Sequence, residues 1–155
     1  MQASTIAIRQ AREDDVQAIV AILASDDVGG HCDTTDAAAY ADYLDAFRTL
    51  QQTPRETLYV AERDGVVVGT FQTLLTTTLS GRGSTSMIIE AVHTSPDYRG
   101  QGIGSAMIGF CLDEARRLGL RQVQLTSNAK RTDAHRFYER LGFAKSHFGF
   151  KYKLK

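Results

Sequence analysis

A glycine-rich stretch between residues 92 and 104 carries the groups in this chain best suited to hold a ligand. Pro96 has no N–H for a sheet ladder, so a strand that precedes it must end there. Glycines then follow at three alternate positions, which let the backbone turn sharply and approach a ligand closely: Gly100, Gly102 and Gly104. A helix is predicted to begin near Ile103, and its free N–H groups together with Arg99 suit a phosphate-bearing ligand.

Two familiar phosphate loops do not match this stretch. The loop of ATP- and GTP-binding proteins, G-x-x-x-x-G-K-[ST], requires a lysine that is absent here. The dinucleotide fingerprint, G-x-G-x-x-G, requires a glycine where this chain has Ser105, and an acidic residue further on, where residues 122–126 have none. The glycine spacing therefore disfavours both nucleotide classes.

The composition is that of an ordinary globular protein and predicts one domain over residues 1–155, with 43% hydrophobic and 23% charged residues. The formal net charge is zero, so nothing points to a nucleic-acid partner or a membrane patch. No apolar run has the length of a membrane span. The two cysteines, Cys32 and Cys111, match no metal or redox spacing, so we expect reduced thiols, no metal and a cytoplasmic location.

The elements that must position the glycine stretch follow from the two hydrophobic periods, about 3.6 and 2 residues. Strands are predicted over 5–9, 57–62, 66–75, 87–94 and 122–126, with one or two more between 143 and 154. Helices are predicted from Glu13 onward and over 37–50, 102–118 and 132–141. Asp64-Gly65 predicts a hairpin turn, and the polar residues 76–85 a loop. The pattern predicts an α/β (α+β) fold with a mixed central sheet of six to seven strands, about four flanking helices and the order β-α-α-β-β-β-α-β-α-β-β.

Two motifs carry a family resemblance. The first is R-x-x-G-x-G at residues 99–104, after a strand, and the second is the run 137–143, Phe-Tyr-Glu-Arg-Leu-Gly-Phe, on a helix that follows Asn128. Together they resemble the GNAT family of N-acetyltransferases, strongly from Glu90 onward and by element order before it. The resemblance implies a single N-acetyltransferase domain of the GNAT fold, with acetyl-CoA as co-substrate.

The same resemblance assigns most of the glycine stretch to acetyl-CoA. Backbone groups of three strand residues are implied to hold the pantetheine arm and the acetyl carbonyl: Val92, His93 and Thr94. Thr94 stands where the family usually has an apolar β-branched residue, a change that backbone contacts tolerate. The pyrophosphate is implied to lie against Arg99 and the N–H groups that follow it: Gly100, Gln101, Gly102, Ile103, Gly104 and Ser105. Asn128 is implied to bond the pantetheine arm, with a role as a simple turn residue as the alternative.

Acetyl transfer to an amine requires the neutral amine. An amine with a pKa near 10.4 is about 99.9% protonated at pH 7, so its neutralisation costs roughly 4 to 5 kcal/mol. A base, or a water chain leading to one, is therefore expected. Glu90 is the first candidate, because it interrupts the apolar run 87–92 and burial there would tune a carboxylate for this work. The alternative is a solvent-facing residue on a half-covered strand.

Two further side chains are candidates for proton transfer. Tyr138 matches the family tyrosine that is implied to hydrogen-bond the CoA sulfur and to protonate the departing thiolate. Its alternative is a core aromatic at helical spacing with Ala134 and Leu141. His93 is a second candidate base, but strict alternation along the strand predicts that it faces away from Glu90.

The predicted function is acetyl transfer from acetyl-CoA to a primary amine of a small molecule, by direct attack in a ternary complex. Residues from Asn128 to Phe148 also resemble the aminoalkylphosphonate N-acetyltransferases, whereas the N-terminal half does not obviously match them. Two alternatives stay open: acetylation of a protein N-terminus or lysine, and a non-catalytic acyl-CoA-binding module. A homodimer is compatible with the pattern, because late strands in such domains can pair across a two-fold axis.

Overall fold

The computed structural model describes residues 4–29 and 31–155. Five strands of these ranges form one mixed sheet: β1 (Ile6–Gln10), β2 (Glu56–Arg63), β3 (Val66–Thr78), β4 (Ser84–Thr94) and β5 (Val123–Leu125). They lie side by side in chain order, with β1 to β4 antiparallel and β5 parallel to β4. The helices are α1 (Val16–Ala24), α2 (Tyr40–Gln51), α3 (Ser80–Gly83), α4 (Ile103–Arg117) and α5 (Thr132–Arg140). The predicted α/β class and mixed sheet are confirmed.

The chain divides into two compact units. The first is Met1–Leu125, which contains the whole sheet and helices α1 to α4, and the second is Thr126–Lys155, which contains α5. Among the described residues, no helix is both long and apolar enough to cross a membrane.

The hairpin between β2 and β3 forms where the sequence predicts it. Asp64 and Gly65 both have left-handed φ angles, 52° and 77°, and Arg63 pairs directly with Val66. Two consecutive positive φ angles are what a two-residue turn of type I′ requires, and the twist of that turn matches the twist of the flanking strands. This turn fixes the register of the pairs next to it, and an irregularity between the Glu62–Val67 and Ala61–Gly69 pairs shifts the register of the rest of the hairpin by one residue.

One face of the sheet packs against α4. Phe71 of β3 stacks on Tyr59 of β2 with ring centroids 4.9 Å apart, and Phe110 of α4 contacts both rings. Gly69 lies two residues before Phe71 on the same strand, and a Cβ there would come within 2.9 Å of the Met107 sulfur. Glycine at this position therefore lets α4 approach the sheet closely.

The other face packs against α1 and α2. Val16 and Val20 of α1 form a buried cluster with Phe47 of α2, and Leu58 of β2 packs against it. Leu58 is the register partner of Gln72, so Gln72 of β3 lies on this same face.

A β-bulge interrupts β4 on its way to the glycine stretch. Glu90 pairs with Gln72 and His93 pairs with Thr70, so β4 uses three residue steps where β3 uses two. Ala91, inside this step, has a left-handed φ of 51°. A bulge re-aims the side chains that follow it. Since Thr70 and Gln72 share a face, Glu90 and His93 also share a face, the one covered by α1 and α2. The prediction that His93 faces away from Glu90 is wrong, because strict alternation does not hold across the bulge.

Two sequence predictions about strands are also wrong. The sheet has five strands within the described residues rather than six to seven, because residues 143–155 have no assigned strand. The alternating pattern that suggests a strand is present there, but the segment has no ladder partner and its apolar side chains are exposed. The order β-α-α-β-β-β-α-β-α-β-β is therefore not matched at its end. It is also not matched between β3 and β4, where the short helix α3 makes five helices among the described residues rather than about four. The predicted loop over residues 76–85 shrinks to 79–83, because β3 and β4 extend into it.

A buried carboxylate joins the first strand to the first helix. Asp15 lies just before α1, is 7% exposed, and accepts two hydrogen bonds from the Arg9 guanidinium of β1, at 2.7 and 2.9 Å. It also accepts the Arg12 backbone N–H at 2.7 Å. The hydrogen bonds from Arg9 hold the pKa of Asp15 below its usual range, against the opposing effect of burial.

We expect Asp15→Asn to lower the free energy of unfolding by about 1.5 to 3 kcal/mol at pH 7, since it removes charge-assisted hydrogen bonds to Arg9. Because the pKa of Asp15 is lower in the folded state, its stabilisation is fully present above the ordinary pKa of about 3.9 and is lost as the pH falls below that value. Urea unfolding at pH 7 and pH 3 measures both effects. A difference between wild type and variant that is as large at pH 3 as at pH 7 would contradict the assignment.

Candidate active site

The glycine stretch forms a left-handed turn that opens α4. Residues 96–98 make one turn of 3-10 helix, and Gly100 and Gly102 then adopt φ angles of 74° and 82°. A Cβ at either glycine would have no neighbour within 4 Å. Backbone conformation rather than crowding therefore requires glycine at both positions. The space beside the turn stays open for a ligand.

The first turn of α4 presents unpaired donors beside this open space. The first bond into the helix runs from the Ala106 N–H to the Gly102 carbonyl, at 3.0 Å. The preceding N–H groups have no acceptor within the helix: Ile103, Gly104 and Ser105. Such groups attract an anion, and the helix dipole adds to the attraction.

Arg63 fixes the turn from the end of β2. Its guanidinium donates to the Gln101 side-chain oxygen at 2.7 Å and to the Gln101 backbone carbonyl at 3.3 Å. The Gln101 amide then donates to the Asp97 carbonyl at 3.2 Å. The Gln101 side chain is therefore engaged within the protein, and Arg63 holds the loop. Sequence analysis missed Arg63, because it lies outside both motifs and only the sheet brings it near.

The strand before the turn has an open edge. β5 pairs with β4 only at Met87, Ile88 and Ile89, so within the described residues the later part of β4 has no partner on this side. Its other side stays paired with β3 as far as Thr94. Residues 92–94 therefore offer backbone N–H and C=O groups to an extended ligand, in the way that a sheet edge accepts an added strand.

The candidate base is not where the sequence argument expects it. Glu90 is solvent-exposed, so the burial that was expected to tune its carboxylate is absent. The exposure follows from the bulge, because Ala91 is exposed as well and the strand leaves the core at this point. The alternative given for Glu90, a residue facing solvent on a half-covered strand, describes its environment.

His93 lies on the Glu90 side and close to an acidic residue of the loop after α1. The His93 Nδ1 atom is 3.9 Å from the Asp26 Oδ2 atom, and the two side chains are 16% and 10% exposed. The other oxygen of Asp26 accepts the Val28 backbone N–H at 3.1 Å. His93 was only the second candidate base in the sequence, and Asp26 was not a candidate. The bulge that turns His93 toward the loop with Asp26 has no local sequence signal.

The rest of that loop is tied to α2. The Tyr43 hydroxyl donates to the Asp33 carboxylate at 2.9 Å and accepts the Thr34 N–H at 3.1 Å. Burial raises the pKa of Tyr43, which keeps the phenol protonated and able to donate. Cys32 has a left-handed φ of 59° and is exposed. The chain around His31 and Cys32 is thus held near α2 by its polar contacts.

The second unit contains the other two predicted site residues. Asn128 organises the turn before α5: its side-chain oxygen accepts the Lys130 N–H at 2.9 Å, and its carbonyl oxygen lies 2.9 Å from the His135 Nε2 atom. Tyr138 lies on α5, with its ring 5.2 Å from that of Phe137 and 5.9 Å from that of Phe143. Burial raises the pKa of Tyr138, and the positive charge of Arg131 opposes this more weakly. The phenol therefore carries its proton at neutral pH.

Cavities and metal-binding groups do not suggest another centre. A cavity of about 480 Å³ near the β3–β4 turn is lined by Ser84, Thr85, Leu118 and Arg121 among others, none of them a predicted site residue. Across residues 4–29 and 31–155, no group of three or more His, Cys, Asp or Glu side chains is arranged to hold a metal ion. The glycine turn and the face with Glu90 and His93 thus remain the candidate site of the first unit.

Comparison with known proteins identifies the family. Residues 7–143 match the model of the acetyltransferase (GNAT) family. The chain belongs to this family. The predicted GNAT resemblance is confirmed, and the match spans both compact units.

Individual GNAT relatives extend the comparison. The aminoalkylphosphonate N-acetyltransferase of Salmonella typhimurium is 37% identical over 111 residues, which are 72% of this chain and 71% of that protein. A crystal structure from Bacillus halodurans C-125, described as a transcriptional regulator, is 35% identical with a TM-score of 0.92, and the match covers 97% of this chain and 100% of that one. A protein from Clostridium acetobutylicum, described as a predicted acetyltransferase and solved with acetyl-CoA, shares the fold at 17% identity and a TM-score of 0.71, over 97% of each chain.

These comparisons settle the enzyme class. Family membership and the N-acetyltransferase relative make this GNAT chain an N-acetyltransferase that uses acetyl-CoA as co-substrate. The likeness to the aminoalkylphosphonate enzyme extends over more than half of the chain. The prediction that it is confined to the C-terminal half was therefore imprecise.

We expect Arg63→Ala to raise the KM for acetyl-CoA about fivefold and to leave kcat within a factor of two. The substitution removes the hydrogen bonds that hold the glycine turn, worth about 1 kcal/mol, but touches no reacting atom. Steady-state kinetics at varied acetyl-CoA measure both constants. Arg55→Ala is the matched control, because Arg55 directly precedes β2 and its guanidinium bonds only Thr77 among the described residues. An equal rise in KM for both variants would contradict a specific role for Arg63.

Proposed function

We propose that this enzyme transfers the acetyl group of acetyl-CoA to a primary amine of a small molecule, by direct attack in a ternary complex. The observation that carries the proposal is the continuity of two features on one strand. An open strand edge at residues 92–94 runs directly into a turn whose N–H donors open α4. An extended thiol arm that ends in a pyrophosphate matches this sequence of sites in order.

The proposal assigns the donor contacts to these two features. Backbone groups of Val92, His93 and Thr94 hold the pantetheine arm and the acetyl carbonyl along the open edge. The pyrophosphate binds the turn and the first helical residues: Arg99, Gly100, Gln101, Gly102, Ile103, Gly104 and Ser105. The arrangement supports this assignment, because the donors converge where an anion is favoured without a metal.

The acceptor amine is proposed to bind on the α1 and α2 face of β4. Glu90 is exposed there, and its carboxylate attracts the ammonium form of the acceptor. It takes the amine proton directly or through one water molecule. The name of the Salmonella relative supports an aminoalkyl compound as the class to test first.

Tyr138 is proposed as the acid that protonates the departing thiolate, and Asn128 as a partner of the pantetheine arm. The amine nitrogen forms a bond to the carbonyl carbon, the carbon–sulfur bond breaks, and the Tyr138 proton goes to sulfur. The second N–H proton of the amine then restores the phenol. The raised pKa of Tyr138 keeps the phenol protonated at neutral pH, so it has a proton to donate to the sulfur as the carbon–sulfur bond breaks.

We also propose that residues 1–155 act as one N-acetyltransferase domain in the cytoplasm. The family match supports a single domain, because it crosses the boundary between the two compact units. Cys32 and Cys111 are both free, which is typical of a reducing compartment.

A homodimer is the assembly we propose. Residues 143–155 expose large apolar side chains at every second position, each between 85% and 94% exposed: Phe148, Phe150, Tyr152 and Leu154. Gly149, Lys151 and Lys153 occupy the positions between them. Such a two-faced segment suits pairing with a second copy. Sedimentation velocity of the full chain is expected to give twice the chain mass, and a monomer at micromolar concentration would contradict the proposal.

The test of the function is thiol release from acetyl-CoA over a panel of amines. The panel contains aminoalkylphosphonates, polyamines, amino acids, aminoglycosides and peptides. We expect turnover with one small-amine class and none with peptides. Turnover confined to peptides would favour a protein N-terminus or lysine as acceptor. Binding of acetyl-CoA with no turnover of any amine would favour the non-catalytic module.

We expect Tyr138→Phe to lower kcat about 100-fold while acetyl-CoA binding changes less than threefold, because only the proton donor is removed. Tyr152→Phe is the matched control, since Tyr152 is 90% exposed in the same unit. Steady-state kinetics and a calorimetric Kd for acetyl-CoA separate the two effects. Equal losses in kcat and in acetyl-CoA affinity would instead assign Tyr138 to packing.

A further inference from the structure

We propose that His93, oriented by Asp26, is the group that takes the proton from the acceptor amine. The proposal rests on the proposed acetyl transfer and changes the role of Glu90, which then attracts and positions the ammonium group. His93 is a catalytic residue in this scheme and Asp26 is a positioning residue. The inference depends on three features of the first unit: the bulge at Ala91, the contact between Asp26 and His93, and the loop after α1 that encloses these two side chains.

The bulge at Ala91 brings His93 to the acceptor side of the strand. Without it, His93 and Glu90 would lie on opposite faces. With it, the pairs Glu90–Gln72 and His93–Thr70 place both side chains on the face covered by α1 and α2. A left-handed φ is unfavourable at a non-glycine residue, because the Cβ crowds the following carbonyl oxygen. The strand therefore accepts a local strain that moves an imidazole beside the carboxylate.

Asp26 lies near one nitrogen of that imidazole. The carboxylate uses Oδ1 to accept the Val28 N–H, and its Oδ2 atom lies 3.9 Å from the His93 Nδ1 atom. A proton on Nδ1 would point toward this negative charge, which leaves the lone pair on Nε2. An acid that fixes the tautomer of a histidine base is the arrangement found in hydrolytic triads. Catalytic hydrogen bonds are often long in the free enzyme and shorten when substrates bind.

The loop after α1 encloses the pair. A Cβ at Gly29 would lie 2.5 Å from the Asp26 Oδ2 atom and 2.8 Å from the His31 ring, so a larger residue could not close over the carboxylate. The side chains of Asp26 and His93 are 10% and 16% exposed. Partial burial strengthens the interaction between the carboxylate and the imidazole, because water screens it less.

Other titratable groups lie on the same side of the sheet as this pair. Asp26 and His31 come from the loop after α1, and Glu90 comes from β4 itself. The β3 neighbour, Thr70, does not titrate, and the sequence of α1, VQAIVAILA, contains no titratable residue. Histidine has an ordinary pKa near 6.5, so an imidazole accepts a proton at neutral pH and releases it to solvent readily.

The proton balance of the reaction is complete with these groups. The ammonium acceptor loses its first proton to His93 Nε2, and His93 passes that proton to solvent. The neutral amine then attacks the acetyl carbonyl, the carbon–sulfur bond breaks, and the thiolate takes the proton of Tyr138. One of the two protons of the attacking nitrogen restores Tyr138, and the other stays on the amide. One proton is released for each amide formed.

The kinetic test compares pH profiles of kcat/KM for the amine between pH 5.5 and 9.5. We expect the wild type to lose activity on the acidic side as His93 becomes protonated. His93→Gln should lose this acidic limb and fall about 50-fold at pH 7, with the deficit shrinking toward pH 9.5, where more of the amine is neutral. The KM for acetyl-CoA should change less than threefold. His147→Gln, an exposed histidine of the second unit, is the matched control.

The Asp26→Asn variant and an NMR measurement are two further tests of the role of His93. Asp26→Asn should keep the acidic limb but move it to lower pH, because the imidazolium loses its negative neighbour. Long-range proton–nitrogen NMR spectra of the full chain should show His93 protonated on Nδ1 in the wild type and redistributed in Asp26→Asn.

Results that overturn the proposed function can be distinguished from results that overturn this inference alone. A wild type that turns over no amine overturns the proposed function and this inference together. An active wild type whose His93→Gln variant keeps its acidic limb and most of its activity overturns this inference alone, and the same limb lost in Glu90→Gln would return the role of base to Glu90. A wild-type His93 protonated on Nε2 overturns the inference whatever the kinetics show.

Discussion

The backbone of β4 determines where the candidate site groups of the first unit lie. Two events occur within five residues: pairing with β5 ends at Ile89, and the bulge follows at Ala91. The first frees one edge of the strand, and the second rotates the side chains that come after it. The glycine turn and the start of α4 follow β4 directly in the chain. A single extra residue thus stands between the open backbone edge proposed to bind acetyl-CoA and the side chains proposed to act on the amine.

The two faces of the sheet pack against different helices, which position different parts of the candidate site. On one face, α4 is drawn close over Gly69, so its N-terminus lies at the end of β4 and its donors face the turn. On the other face, the buried contacts of α1 and α2 anchor the two ends of the loop that carries Asp26 and His31. The Arg9–Asp15 pair fixes the entry to α1 against β1. These contacts, which lie away from β4, therefore fix the position of the loop that carries Asp26.

Local signals in the sequence predict the parts of this structure that depend on local conformation. Asp64-Gly65 predicts its own turn, because few residue pairs accept two left-handed φ angles in succession. The glycine turn and α4 follow for the same reason. The bulge has no such signal, since Ala91 is not a residue that favours left-handed φ. The exposure of Glu90 and the orientation of His93 depend on that bulge, so neither could be predicted correctly.

The strand prediction for the C-terminal segment is wrong for the opposite reason. Its alternation of apolar and charged residues is a good strand signal, but a strand requires a neighbour as well as a pattern. Residues 143–155 have the pattern without a ladder. The sequence therefore predicts what this segment can form rather than what it forms in a single chain.

The environments of the two acidic groups near His93 explain why proton transfer and substrate attraction can be separated. Glu90 is exposed, so its charge acts over a distance through water and meets an incoming ammonium group first. The Asp26 side chain is 10% exposed and lies 3.9 Å from the His93 Nδ1 atom, so water screens its charge less from the imidazole. Under the proposed mechanism, attraction of the ammonium group therefore falls to the carboxylate that water can reach, and proton transfer to the imidazole beside the partly buried charge.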